Sequence, residues 1–186
     1  MLTKSGALVI SLDFELSWGI RDFESIGNRN KILPTRQVVP MLLEMFKKYD
    51  IHATWATVGF LFFESKAELL SALPKSMPGY SNKTLSPYDS LLNETEFNKD
   101  EDLLCYAPSL IHEILSTPYQ ELATHTFSHY YCLEDGQSIS DFESDLHAAI
   151  RAAEKYNQKL KSIVFPRNQY DDPYLEVCAK NGILAF

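Results

Sequence analysis

Three short segments hold the side chains of this sequence that could bind a metal ion or transfer protons. The first carries two carboxylates, the second two imidazoles, and the third a guanidinium and a phenol. They are Asp13-Phe14-Glu15, His125-Thr126-Phe127-Ser128-His129 and Phe165-Pro166-Arg167-Asn168-Gln169-Tyr170. Each follows an apolar run that is typical of a buried strand. Since the carboxyl ends of parallel strands meet at one edge of a sheet, we expect the three segments to form one site.

The two carboxylates of the first segment, Asp13 and Glu15, are two residues apart. In an extended strand such side chains point to the same face, and Phe14 between them points to the core. One acid could then bind a cation while the other transfers protons. The alternative is a solvated acidic pair at the start of a loop, because carboxylates are usually exposed.

The two imidazoles, His125 and His129, have the spacing that places two side chains on one turn of a helix. This arrangement offers two nitrogen ligands to one divalent metal ion. Two histidines and one carboxylate leave coordination positions open, as metal-assisted hydrolysis requires. The alternative is a pair of partly buried histidines that bond to the backbone.

Arg167 in the third segment could pair with Asp13. Such a pair would fix the orientation and the protonation state of the carboxylate. The alternative for this segment is a surface loop whose arginine is unpaired.

Alternating strands and helices must position these segments. Apolar runs predict strands over residues 7–13, 51–58, 120–125 and 160–165, and the chain stops in a further strand-like run over 183–186. Helices are predicted over 60–72 and 108–115 and between Asp172 and Gly182, whereas 74–100 is predicted to be a long loop. This order predicts an α/β fold with a parallel sheet, either open or closed into a barrel.

Two further helices are predicted from their apolar stripes and capping residues. The first helix of the chain is expected to bury Val38, Leu42, Met45, Phe46 and Tyr49. The second is expected to begin at a capping box of Ser140 and Glu143 and to bury Phe142, Leu146, Ile150 and Ala153.

The composition is that of an ordinary globular domain. The chain has 186 residues, 45% of them hydrophobic, and a net charge of -8, which argues against nucleic acid or an anionic membrane as a partner. The apolar run 7–10 is too short for a signal peptide or a membrane span. Three widely spaced cysteines form no disulfide framework and no CxxC zinc site. We therefore expect a reduced, cytoplasmic protein.

The three motifs SLDFELSWG, THTFSH and FPRNQY, in this order, resemble the first three motifs of the polysaccharide deacetylases, the NodB-homology hydrolases of carbohydrate esterase family 4. The resemblance covers the chain from about Ala7 onward and implies a distorted (β/α) barrel with a divalent metal ion, usually zinc. The fourth and fifth motifs of the family, with the late histidine that acts as general acid, are not found in residues 1–186. By this resemblance the chain is one catalytic domain with an incomplete barrel, whose open edges would favour association with a second copy.

The resemblance also implies roles for individual residues. Asp13 matches the catalytic base, His125 and His129 match two metal ligands, and Arg167 matches the arginine that positions the base. Tyr170 matches the residue whose backbone N–H helps to hold the oxyanion. Most family members have two adjacent aspartates in the first motif, whereas here Phe14 intervenes and Glu15 takes the ligand role.

The expected function is the metal-dependent removal of an N-acetyl or O-acetyl group from a carbohydrate. The metal would acidify a water molecule and Asp13 would act as base. Two aromatic residues, Trp18 and Tyr130, could stack on sugar rings, although packing in the core is the more frequent use of such side chains. Two alternatives remain: a non-catalytic, metal-containing glycan-binding module, and a glycosidase with Asp13 and Glu15 as its carboxylate pair. The glycosidase is disfavoured because two carboxylates on one strand would not flank a glycosidic bond.

Overall fold

A computed structural model describes residues 6–22, 32–93 and 99–186 of the chain. Three parallel strands form its sheet, in the order β1 (Ser11–Phe14), β2 (Ala53–Thr57) and β3 (Gln120–Thr124). The predicted α/β fold with a parallel sheet is confirmed. The strands are shorter than the apolar runs that predicted them, chiefly at the amino end of β1, which begins at Ser11 and not at residue 7.

Two single bridges extend the sheet beyond β3. Thr124 pairs with Ile163, and Ser162 pairs with Ala185, both in the parallel sense. The predicted strands 160–165 and 183–186 therefore lie beside the sheet but are reduced to one bridge each. The sheet is not closed within the described part of the chain, as expected for an incomplete barrel. Association with a second copy stays a prediction.

Seven α-helices are present in the described ranges. They are α1 (Thr35–Lys48), α2 (Lys66–Ser71), α3 (Pro87–Asn93), α4 (Lys99–Cys105), α5 (Pro108–Ser116), α6 (Ile139–Glu154) and α7 (Asp172–Lys180). Short 3-10 turns cover Leu16–Ile20, Gly59–Phe62, Lys83–Leu85 and Pro166–Asn168.

Two predictions about helix positions were wrong. The predicted helix over 60–72 is split into the turn Gly59–Phe62 and helix α2, because Phe63 is extended and Ser65 caps α2 by accepting a hydrogen bond from the Glu68 N–H. The predicted loop over 74–100 contains α3 and the start of α4. Since α3 and α4 have only seven residues each, they are too short to show a helical period in the sequence.

Helix α1 buries only part of the predicted face: Phe46 is buried and Leu42 packs against the core, but the buried face is shifted toward Val39 and Leu43. Its buried residues are Val39, Leu43 and Phe46, whereas Val38, Met45 and Tyr49 are about half exposed or more. Apolar residues occur on adjacent stripes of this helix, so periodicity alone could not choose between them. The contact between the rings of Phe46 and Trp55, 6.3 Å apart, orients the helix on the sheet.

Helix α6 begins two residues earlier than its predicted capping box. Ser138, not Ser140, is the N-cap, and its hydroxyl accepts a hydrogen bond from the backbone N–H of Asp141 at 3.2 Å. The predicted apolar stripe is buried, except that Ile150 is only partly so. The same face carries a buried aspartate, Asp145.

The two faces of the sheet differ in polarity. The register aligns Leu12 with Trp55 on the face that packs on the helices, where Trp55 also meets the ring of Phe14. The opposite face carries Asp13, which lies beside the small side chain of Ala56 and is exposed. Strand alternation places Glu15 on this same polar face, at the carboxyl end of β1. In the described part of the chain, no helix has the length and apolar character needed to cross a membrane.

Candidate metal centre

Glu15, His125 and His129 converge at the carboxyl ends of the strands. Glu15 directly follows β1 and His125 directly follows β3. The Oε2 atom of Glu15 lies 3.3 Å from Nε2 of His125 and 3.0 Å from Nε2 of His129. All three donor atoms lie within 4.8 Å of one another. The structure therefore brings together the three residues that the sequence analysis selected as metal ligands.

The two histidines do not lie on a helical turn, contrary to the prediction. Residues 125–129 form an irregular turn in which Thr126 and His129 have positive φ angles of 63° and 56°. The hydroxyl of Thr126 accepts a hydrogen bond from the Tyr130 N–H at 2.6 Å, which closes the turn. The i, i+4 spacing still brings the imidazoles together, with ring centroids 5.0 Å apart.

Hydrogen bonds of the backbone and ring orient His125. Its backbone N–H donates to the carbonyl of Thr57 at 2.9 Å, which ties it to β2. Its Nδ1 lies 2.8 Å from the carbonyl oxygen of Val164. Because a carbonyl can only accept, Nδ1 carries a proton, and in the neutral ring the lone pair of Nε2 faces Glu15.

The charges of the cluster are set by burial and by mutual contact. Burial raises the pKa of Glu15, but hydrogen bonds and charge interactions with His125 and His129 outweigh this effect and lower the pKa to about 2. Burial lowers the pKa of His129 to about 4, against the opposing effect of its hydrogen bond to Glu15. At neutral pH the cluster thus contains a carboxylate and a neutral His129, both in the protonation states that bind metal ions.

The geometry of the cluster fits a divalent ion. A tetrahedral zinc ion with bonds of about 2.0–2.2 Å separates its ligand atoms by about 3.3–3.6 Å, close to the separations between Glu15 and the two histidines. Nε2 of His125 faces a carboxylate oxygen of Glu15, so a cation between these two atoms could be bound by both. Nδ1 of His129 is buried and has no hydrogen-bond partner in the described ranges, so Nε2 is the atom that points to the cluster.

Sequence reasoning missed two residues that hold the histidine turn. Asp145 on α6 accepts hydrogen bonds from the backbone N–H groups of Phe127 and Ser128. Burial raises its pKa to about 6, despite these hydrogen bonds. The sequence feature that could have indicated Asp145 is the presence of an acidic residue within the apolar stripe of α6. The second residue, Arg21, donates to the carbonyl of His129 at 3.2 Å, and no sequence pattern indicated it.

Asp13, the predicted base, is exposed on the polar face of the sheet. It makes no hydrogen bond or ion pair with any residue in the described part of the chain. Its position two residues before Glu15 places it on the same face as the cluster.

Arg167 does not form the predicted pair with Asp13. Its guanidinium forms an ion pair with Asp22 and lies over the ring of Tyr131, 4.4 Å from the ring centroid. The Tyr131 ring in turn contacts the His129 ring edge-on, at 5.2 Å. Arg167 is therefore one aromatic ring away from the cluster of Glu15, His125 and His129, but it is held there by a different carboxylate, Asp22. The predicted partner of Arg167 was wrong because its actual partner, Asp22, lies outside the three motifs from which the ion pair was predicted.

Tyr170 follows Arg167 on the same loop. Its side chain is about half exposed and stacks on Phe165, with ring centroids 5.2 Å apart. Its backbone N–H donates no hydrogen bond within the described part of the chain.

The two predicted sugar-stacking residues are core residues. Trp18 is buried, donates its indole N–H to the carbonyl of Cys105 at 2.8 Å, and meets the ring of Phe60 edge-on. Tyr130 is buried against Phe142, and its hydroxyl bonds to residues of the loop before α6. Neither ring offers a face to a sugar, so this prediction was wrong.

Several solved structures share this fold. BA3943 from Bacillus anthracis, a CE4 family pseudoenzyme, matches with a TM-score of 0.51 and 16% identity, over 95% of this chain and 42% of its own. A de-N-acetylase from Aggregatibacter actinomycetemcomitans matches with a TM-score of 0.53 and 12% identity, over 94% and 60%. The BpsB deacetylase domain from Bordetella bronchiseptica matches with a TM-score of 0.50 and 12% identity, over 95% and 62%.

These likenesses concern the fold, and the chain spans less than two thirds of each of these three structures. No curated protein matches the sequence significantly. The family model for polysaccharide deacetylase matches residues 30–186, which is most of the chain. The match covers the second and third motifs, and it therefore includes His125 and His129 but not Glu15. The chain belongs to the polysaccharide deacetylase family.

Proposed function

We propose that this protein is a metal-dependent deacetylase that hydrolyses an N-acetyl or O-acetyl group on a carbohydrate. The observation that carries the proposal is the convergence of Glu15, His125 and His129 at the carboxyl ends of the strands, in a chain of the polysaccharide deacetylase family. One carboxylate and two imidazoles are three protein ligands, and such a set leaves a coordination position open for chemistry.

The nature of the three ligands favours zinc among the common divalent ions. A bound ion would acidify a water molecule and polarise the carbonyl of the acetyl group. The carbonyl oxygen of Val164 orients the ring of His125 for such binding. The low pKa of Glu15 keeps its side chain ionised, which is the form that binds a cation.

In the proposed reaction Asp13 accepts the proton of the water molecule that attacks the acetyl carbon. The bond between this carbon and the sugar nitrogen or oxygen then breaks, releasing acetate, and the leaving atom takes up the proton that Asp13 accepted, which regenerates the Asp13 carboxylate. Asp13 suits the role of base because it is exposed and lies on the face of the sheet that carries Glu15.

Two residues of the third motif are proposed to contact the reacting group. The free backbone N–H of Tyr170 would donate to the carbonyl oxygen as negative charge develops on it. Arg167 would add positive charge from its position over Tyr131, with Asp22 holding its guanidinium in place.

The test is acetate release from oligomers of N-acetylglucosamine by protein stripped of metal and then reloaded with Zn²⁺. We expect release only from the reloaded protein, and none from His125→Ala. His147→Ala is the matched control, because His147 is exposed and bonds to Asn181 just after the end of α7, away from the cluster. Equal release by the stripped protein or by His125→Ala would contradict the proposal.

A second candidate is a glycan-binding module that holds a metal ion without catalysis. Two observations favour it: Arg167 pairs with Asp22 instead of Asp13, and one protein of the same fold, BA3943, is a pseudoenzyme. The same oligomers distinguish the two functions. A binding module would bind them in a metal-dependent manner and release no acetate.

A further inference from the structure

Asp145 is a fully buried carboxylate on the inner face of α6, and the proposed reaction does not use it. Its Oδ1 accepts the backbone N–H of Phe127 at 2.6 Å. Its Oδ2 accepts the backbone N–H of Ser128 at 3.2 Å and the Ser128 hydroxyl at 2.5 Å. The hydroxyl of Tyr88 lies 3.5 Å from the same oxygen.

The two residues that Asp145 holds lie between the histidines of the metal cluster. The carbonyls of the same turn are held from the other side: Gly59 N–H donates to Thr126 at 2.9 Å, and Phe60 N–H donates to Phe127 at 3.1 Å. A Cβ at position 59 would lie 2.8 Å from Cα of Phe127, so glycine permits this close approach. The turn is thus held by its carbonyls on one side and by its N–H groups on the other.

The conformation held in this way is not one the chain would adopt by local preference. Thr126 and His129 both have positive φ angles, which cost free energy in residues other than glycine. The surrounding contacts must supply this free energy. Asp145 is the carboxylate among them, and its two oxygens accept hydrogen bonds from adjacent N–H groups that would otherwise be buried without partners.

A carboxylate is needed for this contact, since an amide would fail. Both backbone groups donate, and asparagine offers one oxygen and one NH₂ group. An asparagine at this position would therefore place its NH₂ against one of the two N–H groups. Burying a carboxylate costs free energy, and the hydrogen bonds to both oxygens of Asp145 offset part of this cost.

We propose that Asp145 is a positioning residue of the metal centre: it fixes the turn 125–129 so that the imidazoles of His125 and His129 meet Glu15. The role rests on the proposed function, namely on the binding of a divalent ion by these three residues. Partners outside the ligand shell that orient metal ligands commonly contribute about 10- to 100-fold to metal affinity.

The test compares Asp145→Asn with Asp141→Asn in a titration of the metal-free protein with Co²⁺, followed by its visible absorption. Asp141 is the matched control, because it lies on the same helix and bonds to Ser138 at the helix start, away from the turn. We expect the Co²⁺ dissociation constant to rise about tenfold or more in Asp145→Asn, with an altered absorption spectrum, and to stay unchanged in Asp141→Asn. If Asp145 had a purely structural role, Asp145→Asn would lower the unfolding temperature but leave the Co²⁺ absorption spectrum and the Co²⁺ affinity of the folded protein unchanged.

The outcomes separate this inference from the proposed function. If the wild-type protein binds no Co²⁺, or if His125→Ala binds it equally well, the metal centre fails and the role of Asp145 fails with it. If the wild-type binds and Asp145→Asn binds with equal affinity and the same spectrum, the inference alone is overturned. If Asp145→Asn does not fold, the Co²⁺ titration of Ser128→Ala tests the inference instead, because this variant removes only the hydroxyl that donates a hydrogen bond to Asp145. It should weaken Co²⁺ binding measurably, and unchanged binding would overturn the inference.

Discussion

The carboxylate of Glu15 packs against the α-carbon of Gly19, in the space that a side chain at position 19 would occupy. Gly19 lies in the 3-10 turn that follows β1. A methyl group there would push the carboxylate away from His125 and His129. Gly19 thus links the shape of this turn to the position of a proposed ligand.

We therefore expect Gly19→Ala to weaken zinc binding by about tenfold, comparable to the loss of a contact that orients a ligand, without changing any charge. The flexible Glu15 side chain can move aside, so the protein should remain folded. The measurement is a competitive zinc titration. Gly6→Ala is the matched control, because a Cβ at position 6 would contact nothing. Unchanged affinity in Gly19→Ala would argue against Glu15 as a ligand.

Removal of a proposed ligand should have a larger effect. His125→Ala and His129→Ala should each abolish stoichiometric zinc binding, because each removes one of three protein ligands. Glu15→Gln should weaken binding less, since an amide oxygen can still coordinate. Metal analysis after dialysis measures the occupancy. Full occupancy in the double histidine variant would refute the assignment of the centre.

Asp13 and Arg167 should affect activity without affecting the metal. We expect Asp13→Asn to lower acetate release by about 100-fold or more, because it removes proton transfer, and to leave the zinc content intact. Arg167→Ala should lower release with zinc still bound. Equal loss of zinc in Asp13→Asn and Glu15→Gln would mean that the roles of base and ligand are wrongly assigned.

Asp145 should make the stability of the metal-free protein depend on pH. Burial raises its pKa from 3.8 to about 6, so between these values the folded state binds more protons than the unfolded state. Its contribution to stability is fully present below pH 3.8 and is lost as the pH rises through 6. From pH 7 to pH 4.5, the wild-type protein should gain about 2 kcal/mol relative to Asp145→Asn. Urea unfolding at both pH values measures this difference, and a constant difference would contradict the raised pKa.

The strands and the ligand set could be predicted from the sequence because apolar runs end at chemically active residues. Asp13 and Glu15 alternate with Phe14, and the structure places Phe14 in the core as this pattern requires. The i, i+4 spacing brought the histidines together even though the predicted helical turn was wrong. Spacing limits the distance between two residues, but positive φ angles at Thr126 and His129 depend on contacts from distant segments.

The remaining errors have the same origin in contacts between distant residues. Asp22 and Arg167 are 145 positions apart, and nothing local indicates that they pair. Trp18 and Tyr130 are aromatic residues near polar motifs, and only the packing of the core shows that their rings are buried. Asp145 differs from these residues, because its sequence position does indicate a special role: an acidic residue within an apolar helical stripe departs from the pattern around it.

The separation of Glu15 and His129 along the chain, 114 positions, has a thermodynamic consequence for the whole domain. An ion bound to both would act as a cross-link that closes a long loop. Folding has already brought the two residues together, so binding the ion to the folded protein costs no further loop-closure entropy. Metal binding and folding would then be linked equilibria: a free ion at 100 times its dissociation constant would stabilise the native state by about 2.7 kcal/mol. Chelation would accordingly lower the resistance of the domain to unfolding as well as remove its chemistry.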